Sequence, residues 1–477
     1  MTGTILDRIV AARRDRVSSQ GHAQGEQVPA QRTVPVVPFG RDPFIICEIK
    51  RKSPSRGDIG LGADPVLQAA KYVSRGIQSI SVLTEPEFFG GSLQDLQRVK
   101  QQYPQVALLR KDFLLDVEDV NVSYRAGADA ILLIASILEP ELLAAMHNRA
   151  QELGMQALVE LHTAEELESI RPLAPPLMGV NSRDLKTFRM DPLVPLRLRA
   201  CADWDARWVY ESGVFEQEHS ALAVSHGFHG VLVGEAVMRS PDRIAGMAEG
   251  LAFETRIDFW SRVAALIAAN SRPLVKICGL VWREDVMLAE QAGADLLGFV
   301  FADSPRRADP AMVAALGKTR ALKIGVVVTS PSEGRHIPPD VQQLLTDGCL
   351  DAIQFSGDEQ PDECFPQAFP YYKTVRIGSE NEISQLQQYH SPRVLIDARS
   401  PDGRYGGSGH RIPPELIEKI PGPLWLAGGL NPANIAEVVR AFQPELVDVS
   451  SGLESHPGKK DPRKVTAFME EIHNGTA

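Results

Sequence analysis

Short apolar runs, each followed by a longer segment with helical periodicity, recur along the chain and restrict its fold more than any other feature. Eight such runs occupy the first half, at 44–49, 80–83, 106–109, 130–134, 157–160, 178–181, 208–212 and 230–234. Nearly continuous apolar character is typical of parallel strands that are buried on both faces. Eight strand–helix units in about 250 residues are the number of a TIM (β/α)8 barrel, whereas a doubly wound sheet usually has fewer strands.

The same rhythm continues through the second half of the chain. Its runs lie at 274–277, 296–301, 324–328, 352–355, 374–377, 394–396, 424–427 and 446–449. We therefore predict an α/β chain of two tandem TIM (β/α)8 barrels, whose halves are not repeats at the residue level. The first barrel is assigned to residues 1–255, a linker helix to 256–272 and the second barrel to 273–477. An amphipathic helix over 4–17, which begins with a capping box of Thr4 and Asp7, extends the first barrel at its N-terminus.

Composition restricts the partners and the compartment. A chain of 477 residues is too long for one ordinary core, in line with two domains. Its net charge of −11 argues against a nucleic-acid or anionic-membrane surface, although local loops can still bind a small anionic substrate. The five cysteines lack close CxxC spacing, which indicates reduced thiols and no metal site in a cytoplasmic protein. No segment predicts a membrane span or a secretion signal.

Polar residues at the ends of the first eight strands indicate an active site, because a TIM barrel carries its chemistry at that face. Glu48 and Lys50 are two apart and so point to one side of a strand, where a structural ion pair is the alternative to a working one. The later strand ends supply Lys111, Glu160, Asn181, Ser212 with Gly213, and Gly234 with Glu235. Two lysines and two carboxylates can shift one another's pKa values and supply both acid and base.

The turns after strands seven and eight are where this fold often binds phosphate through backbone N–H groups. They read ESG at 211–213 and VGE at 233–235. Glycine allows the backbone to approach a ligand closely, while a tight turn without any ligand is the alternative for each motif.

Seven motifs in order give the first half a family resemblance. They are CEIKRKSPS (47–55), LTEPEFFGGS (83–92), LLRKDF (108–113), LVELHT (158–163), GVNSRDL (179–185), ESG (211–213) and VLVGEAVM (231–238). This half resembles indole-3-glycerol phosphate synthase, which implies cyclisation of 1-(2-carboxyphenylamino)-1-deoxyribulose 5-phosphate with loss of carbon dioxide and water. The resemblance implies that Lys111 is the general acid and Glu160 the base in dehydration. It places Glu48, Lys50 and Asn181 in the catalytic polar network that orients the substrate and shares the proton transfers, and it does not decide which lysine donates at each step.

The same resemblance implies further substrate contacts. Phe89 and Phe113 would form apolar walls for the anthranilate ring, although an isolated Phe in a loop is more often a core residue. Arg183 and Ser53 would hold polar groups of the substrate.

The second half offers a thiol and a carboxyl group at strand ends. Cys278 ends the first strand in VKICGL, where alone it would more often be a small buried apolar residue. Asp397 ends the sixth strand in VLIDARS, and a glycine-rich loop, YGGSGHRI (405–412), follows it. A thiolate and a carboxylic acid on opposite walls suit proton abstraction and donation across neighbouring carbons of a sugar.

Six motifs give the second half its own family resemblance. They are VKICGL (275–280), GFVFADSPRR (298–307), AIQFSG (352–357), VLIDARSPDGRYGGSGHR (394–411), LAGGLNPANI (426–435) and DVSSGLE (448–454). This half resembles phosphoribosylanthranilate isomerase, which implies an Amadori rearrangement from aldose to ketose without a cofactor. Cys278 would be the general base, Asp397 the general acid that opens the ribose ring, and Arg306 the partner of the anthranilate carboxylate.

The isomerase resemblance also implies a phosphate cradle and shows one departure. The cradle would comprise Gly428, Gly429, Ser450, Ser451 and Gly452, after strands seven and eight. Gln354 belongs to the implied substrate-binding set, but Ser356 stands where the family commonly has histidine in a QLHG-type sequence. Serine offers a hydroxyl and no titratable ring, so we expect weaker substrate anchoring there.

Together the two halves predict a bifunctional, monomeric enzyme with small phosphorylated substrates and neither metal nor organic cofactor. The product of the second barrel would be the substrate of the first. One alternative is another pair of phosphosugar barrel enzymes, such as histidine-pathway isomerase relatives, which would be expected to use paired aspartates. A second alternative is a non-catalytic phosphosugar-binding double barrel.

Overall fold

A computed structural model describes residues 4–42, 44–53, 57–59, 62–184, 189–252, 258–329, 336–364, 369–399 and 411–476. The chain divides into two compact units, Met1–Arg256 and Ile257–Ala477. Each unit contains a closed barrel of eight strands, which confirms the predicted pair of TIM barrels. The predicted boundaries at 255, 256–272 and 273 stay predictions.

The first unit builds its barrel from eight parallel strands. They are β1 (Ile45–Ile49), β2 (Ser79–Leu83), β3 (Ala107–Lys111), β4 (Ala130–Ile134), β5 (Gln156–Leu161), β6 (Leu177–Asn181), β7 (Arg207–Glu211) and β8 (Gly230–Val233). Each strand pairs with the next, and β1 closes the ring by pairing in parallel with β8. Strand β3 ends two residues later than predicted, which makes Lys111 its last residue.

Helices surround this barrel and cover its outer face. They are Ile5–Gln20, Pro65–Val73, Leu93–Gln102, Val117–Ala126, Pro140–Glu152, Ala164–Ile170, Leu193–Cys201, Gln217–Ser225, Glu235–Arg239 and Arg243–Leu251, with a 3-10 turn at Ala135–Ile137. The first of them confirms the predicted N-terminal extension. Its capping box is present, since Asp7 N donates to Thr4 Oγ1 at 3.2 Å and Thr4 N donates to Asp7 Oδ2 at 2.8 Å. A two-stranded antiparallel pair, Lys52–Ser53 with Gly57–Asp58, follows β1.

The second unit repeats the architecture with different residues. Its strands are β9 (Leu274–Cys278), β10 (Leu296–Val300), β11 (Leu322–Val327), β12 (Ala352–Phe355), β13 (Tyr371–Ile377), β14 (Val394–Ala398), β15 (Trp425–Leu426) and β16 (Leu446–Val449). They form a second closed ring, in which β9 pairs in parallel with β16. After β16 comes a short antiparallel hairpin of Glu454–His456 and Lys459–Lys460, called here the C-terminal hairpin.

The helices of the second unit begin with one that lies before its first strand. The set is Phe259–Ala269, Arg283–Gln291, Pro310–Ala314, Pro339–Thr346, Glu380–Gln385, Pro414–Ile417, Ile435–Phe442 and Pro462–Thr476, with 3-10 turns at Pro361–Glu363, Leu386–Gln388 and Ser451–Leu453. In the first helix, Phe259 stacks on Tyr372 with ring centroids 6.5 Å apart, and Trp260 lies 5.8 Å from Trp425. None of the helices in the described ranges is long and apolar enough to cross a membrane.

Candidate active sites

The carboxyl ends of β1–β8 surround a cavity of about 150 Å³. Every residue predicted for the first site lines this cavity, together with Glu211 and several apolar side chains. The predicted members are Glu48, Lys50, Ser53, Phe89, Lys111, Phe113, Glu160, Asn181, Arg183, Ser212, Gly213, Gly234 and Glu235. The fold thus gathers residues that lie far apart in the chain, and their individual roles stay predictions.

Glu48 and Lys50 form an ion pair at the end of β1, with 2.7 Å between Glu48 Oε1 and Lys50 Nζ. A Cβ added to Gly234 would lie 2.5 Å from the same Glu48 oxygen, so glycine at the end of β8 leaves room for the pair. Burial alone would raise the pKa of Glu48, but the charges of Lys50 and Lys111 hold that pKa below its ordinary value. Glu48 is therefore ionised at neutral pH.

Lys111 lies between two carboxylates from the opposite side of the barrel. Its Nζ is 3.2 Å from Glu160 Oε2 and 2.7 Å from Glu211 Oε2. Burial would lower the pKa of Lys111, but Glu211, Glu160 and Glu48 together raise it above its ordinary value. Asn181 Nδ2 donates to the second oxygen of Glu160 at 3.3 Å. A charged ammonium thus points into the cavity with its position fixed by two strands.

Glu211 lines the site but was not predicted as a site residue. In the sequence analysis it appears only as the residue before the Ser212-Gly213 turn. It is the last residue of β7 and is buried. Burial raises the pKa of Glu211 to about 8 despite the Lys111 charge, and the Glu160 carboxylate adds to the rise. Glu160 keeps a pKa below its ordinary value, because Lys111 and His162 outweigh its burial. Of the two, Glu211 is therefore the weaker acid and the one that is protonated more readily.

His162 is a second missed residue, one position beyond the end of β5 in the LVELHT motif. Its Nε2 is 3.3 Å from Glu160 Oε1, and its Nδ1 is 3.5 Å from Glu166 Oε2. Burial would lower the pKa of His162, but these two carboxylates raise it to about 10. The imidazolium is a second positive charge beside Glu160. Its position directly after a barrel strand is the signal that could have identified it.

The remaining members form an apolar wall and a strained turn. The rings of Phe89 and Phe113 have centroids 6.1 Å apart and lie tilted by 33°. Arg183 N donates to Asn181 Oδ1 at 3.0 Å. Ser212 has φ 66° and Gly213 has φ 76°, so both residues after β7 adopt the left-handed conformation. Such strain in a non-glycine residue is found mostly at functional sites, which supports a ligand-binding role for the turn.

In the second barrel, Cys278 ends β9 with its side chain buried. Burial raises the pKa of the thiol, and the nearby Lys276 ammonium opposes this rise. Lys276 Nζ donates to Asp448 Oδ2 at 2.7 Å, so a buried ion pair lies in the barrel interior next to the thiol. This pair was also missed by the sequence reasoning, although VKICGL places Lys276 on the same side of β9 as Cys278.

Asp397 lies on β14 and is half-buried. Burial raises the pKa of Asp397 to about 6, with a further contribution from the Asp448 carboxylate, while a hydrogen bond from Ala398 N opposes the rise. A carboxyl group with this pKa can both donate and accept a proton near neutral pH. The glycine-rich loop predicted at 405–412 lies outside the described residues except for its last two.

Gln354 is buried, and its amide group has partners within the barrel. Its Nε2 donates to Ser356 Oγ and to Thr374 Oγ1, both at 3.0 Å, and its Oε1 accepts from Tyr372 at 2.9 Å. Ser356, the residue that departs from the family pattern, therefore helps to orient Gln354. Substrate contact by Gln354 stays a prediction.

Two turns form the predicted phosphate side of the second barrel. Gly428 and Gly429 follow β15 with φ 98° and 63°, and a Cβ at Gly428 would lie 3.1 Å from Asp397 Oδ1. Ser450, Ser451 and Gly452 follow β16, and Gly452 packs against the backbone carbonyl of Leu430. The two predicted cradle segments are thus in contact.

Arg306 lies at the same mouth. Its guanidinium pairs with the carboxylate of Glu454, which was not predicted as a site residue. Its Nη2 donates to Glu454 Oε2 at 2.8 Å. In the described ranges no group of three His, Cys, Asp or Glu side chains could hold a metal ion.

Comparisons with known proteins assign each barrel to a family. The profile of indole-3-glycerol phosphate synthase matches residues 6–249, and that of N-(5'phosphoribosyl)anthranilate (PRA) isomerase matches residues 275–471. The multifunctional tryptophan biosynthesis protein of Phycomyces blakesleeanus is 31% identical over 540 residues, which cover 98% of this chain and 69% of that protein. The protein of the same description from Schizosaccharomyces pombe is 32% identical, over 90% of this chain and 59% of its own length. The indole-3-glycerol phosphate synthase of Bacillus cereus is 38% identical, over 50% of this chain and 94% of its own length.

Proposed function

Because the chain belongs to the indole-3-glycerol phosphate synthase family in its first barrel and to the PRA isomerase family in its second, we propose which residues carry out the two reactions. The chain is a bifunctional enzyme of tryptophan biosynthesis. Its second barrel isomerises N-(5-phosphoribosyl)anthranilate to 1-(2-carboxyphenylamino)-1-deoxyribulose 5-phosphate. Its first barrel cyclises that product to indole-3-glycerol phosphate, with loss of carbon dioxide and water.

For the synthase reaction we assign the general acid to Lys111. The contact that carries this assignment is Lys111 Nζ to Glu211 Oε2 at 2.7 Å, because it holds a charged ammonium in the cavity. Lys111 would protonate the ketose carbonyl as the aromatic carbon attacks, and Glu160 would take up the proton lost in dehydration. Glu48, Lys50 and Asn181 would orient the substrate. Glu211 would keep Lys111 in place and buffer its proton.

For the isomerase reaction we assign the base to Cys278 and the acid to Asp397. Asp397, with a pKa raised by burial to about 6, would protonate the ring oxygen of the ribose as the ring opens. The Cys278 thiolate would then remove the C2 proton. The resulting enolamine would become the ketose by gaining a proton at C1 and losing the proton of its C2 hydroxyl group. Burial and the Asp448 carboxylate raise the pKa of the thiol, and the Lys276 ammonium beside it opposes that rise, which supports this assignment.

A crossed set of variants tests both assignments in one protein. Lys111→Ala and Glu160→Gln should each lower synthase activity by about 10³-fold or more and leave the isomerase unchanged. Cys278→Ala and Asp397→Asn should do the reverse. A coupled assay started with PRA measures both steps, because the intermediate accumulates when only the synthase fails. Loss of both activities in a folded single variant would contradict two separate sites.

Four finer points belong to the same proposal. We infer that the protein is a monomer and that it is cytoplasmic. We also infer that it binds no nucleic acid, because its net charge of −11 disfavours binding to polyanions. We also propose a linker at 256–272, between the first barrel (1–255) and the second (273–477), in line with the family matches that end at 249 and resume at 275. Sedimentation equilibrium of the purified chain tests the monomer.

A further inference from the structure

Glu454 holds the guanidinium of Arg306 by one edge. Arg306 Nε lies 2.8 Å from Glu454 Oε1, and Nη2 lies 2.8 Å from Oε2, which makes a two-point contact. Nη1 is not part of this contact. The ion pair therefore fixes the direction of the other edge of the planar guanidinium without using the N–H groups of Nη1. Burial would raise the pKa of Glu454, but Arg306 and Lys460 keep it below its ordinary value, and the glutamate stays ionised.

Lys460 connects Glu454 to two backbone segments of the mouth. Its side chain is fully buried. The ammonium donates to Glu454 Oε1 at 3.1 Å, to the carbonyl of Cys278 at 2.7 Å and to the carbonyl of Ser450 at 3.2 Å. Three donors and three acceptors leave this ammonium fully hydrogen-bonded. One buried charge thus joins the arginine partner, the strand end that carries the thiol, and the turn of the predicted phosphate cradle.

Close packing at two glycines, Gly279 and Gly458, also restricts the position of Arg306 and its loop. A Cβ added to Gly279, which has φ 74°, would lie 2.8 Å from Arg306 Cδ and 2.9 Å from Ser450 Oγ. At the tip of the C-terminal hairpin, a Cβ on Gly458 would lie 3.0 Å from the carbonyl of Pro305. The hairpin therefore contacts the loop of Arg306 through its tip and through Glu454.

We propose that Glu454 and Lys460 are positioning residues of the isomerase, which hold the Arg306 fork at a fixed place beside Cys278 to bind the substrate carboxylate. This inference rests on the proposed role of Arg306. Without Glu454 the long arginine side chain would sample several rotamers, and substrate binding would have to order it each time. Without Lys460 the thiol-bearing strand end would also lose its link to the arginine, since Cys278 O is one of the three acceptors.

A double-mutant cycle on the full chain tests the proposal. Glu454→Gln should raise the isomerase KM about tenfold while kcat changes less than about threefold, the loss of one charge-assisted contact. In an Arg306→Ala background the same substitution should add less than about twofold, because Glu454 then has nothing left to position. Equal effects of Glu454→Gln in both backgrounds would overturn the proposal. An unchanged KM in Arg306→Ala alone would instead overturn the proposed role of Arg306, so the two failures are distinguishable.

A matched pair of lysine variants separates positioning from a general effect on the hairpin. Lys460→Met should lower isomerase kcat/KM at least about tenfold. Lys459→Met changes the neighbouring lysine of the same hairpin, which pairs with Asp285 at 2.7 Å, and should leave kcat/KM within about twofold. Thermal unfolding of each variant shows whether the second unit is folded. Folded Lys460→Met with wild-type kinetics, or equal losses in both lysine variants, would overturn the proposal.

Discussion

The two barrel mouths have the same architecture, but they connect their charged groups differently. In the first, Lys111 contacts two carboxylates directly, and one of these also contacts His162, so the proposed acid and base belong to one network. In the second, no ion pair among the described residues joins the proposed acid and base, and Asp448 instead raises the pKa of both Cys278 and Asp397. Cyclisation needs several proton transfers at one centre, for which linked groups are suited. An aldose–ketose isomerisation needs one proton donor and one proton acceptor, and here burial is the main influence on the pKa of each.

The largest effect that this comparison predicts is on synthase kcat/KM, from a substitution of Glu211 that breaks the network of the first mouth. Glu211→Gln keeps the shape of the side chain but replaces its titratable carboxyl group with a neutral amide. Lys111 then loses the carboxyl partner that lies 2.7 Å from its Nζ, and we expect synthase kcat/KM to fall by about 10²- to 10³-fold. The isomerase of the same molecule, measured in parallel, should change less than about twofold. Synthase activity at the wild-type level would mean that Glu211 only fills space below Lys111.

A smaller effect is expected in the second mouth, where a substitution near Asp397 should shift the pH dependence of isomerase kcat/KM. The isomerase kcat/KM should show a limb near pH 6 that reflects Asp397, whose pKa is raised by burial and by the Asp448 carboxylate. Asp448→Asn removes that negative charge, which favours the ionised form of Asp397. The limb should therefore move to lower pH, by about one unit.

The substrate phosphate also titrates near pH 6, so only the difference between two proteins is informative. Asp347→Asn, at an exposed carboxylate that accepts from Gln343, is the matched control and should leave the limb in place. A limb that moves to higher pH in Asp448→Asn, or that is the same in both variants, would show that Asp397 does not set it.

Local signals predicted the fold and much of both sites. Each barrel strand begins and ends within three residues of its predicted apolar run, because burial on both faces makes every such short segment apolar. Glu48 and Lys50 could be paired from sequence since a strand with period two puts them on one side. Lys111 could be placed because the strand-end rule needs only its own segment.

Three of the contacts that were not predicted join residues far apart in the chain. Lys111 and Glu211 are 100 positions apart, Lys276 and Asp448 are 172 apart, and Arg306 and Glu454 are 148 apart. Periodicity reports which face of an element is buried, and it carries no information on which distant side chain lies opposite. For the same reason, the raised pKa of Glu211 depends on closure of the barrel and cannot be read from the ESG motif.

The smallest expected effect compares the turns that follow the seventh strand of each barrel. Ser212 and Gly213 have φ 66° and 76°, and Gly428 and Gly429 have φ 98° and 63°, so both turns use two left-handed residues. Serine in that conformation is strained by about 1–2 kcal/mol, against a cost of about 0.5–1 kcal/mol for the greater chain entropy of glycine. Ser212→Gly should therefore raise the free energy of unfolding of the first unit by up to about 1 kcal/mol, measured by urea denaturation.

The reverse substitution in the second barrel completes this comparison. Gly428→Ser should destabilise the second unit by about 1–2 kcal/mol, since the new Cβ is also only 3.0 Å from that of Ala398. If Ser212→Gly stabilises the first unit, the strain at Ser212 has no structural benefit, and its hydroxyl should then serve the substrate. In that case the synthase KM of Ser212→Gly should rise. A destabilised Ser212→Gly protein with an unchanged KM would instead show that Ser212 is a structural residue.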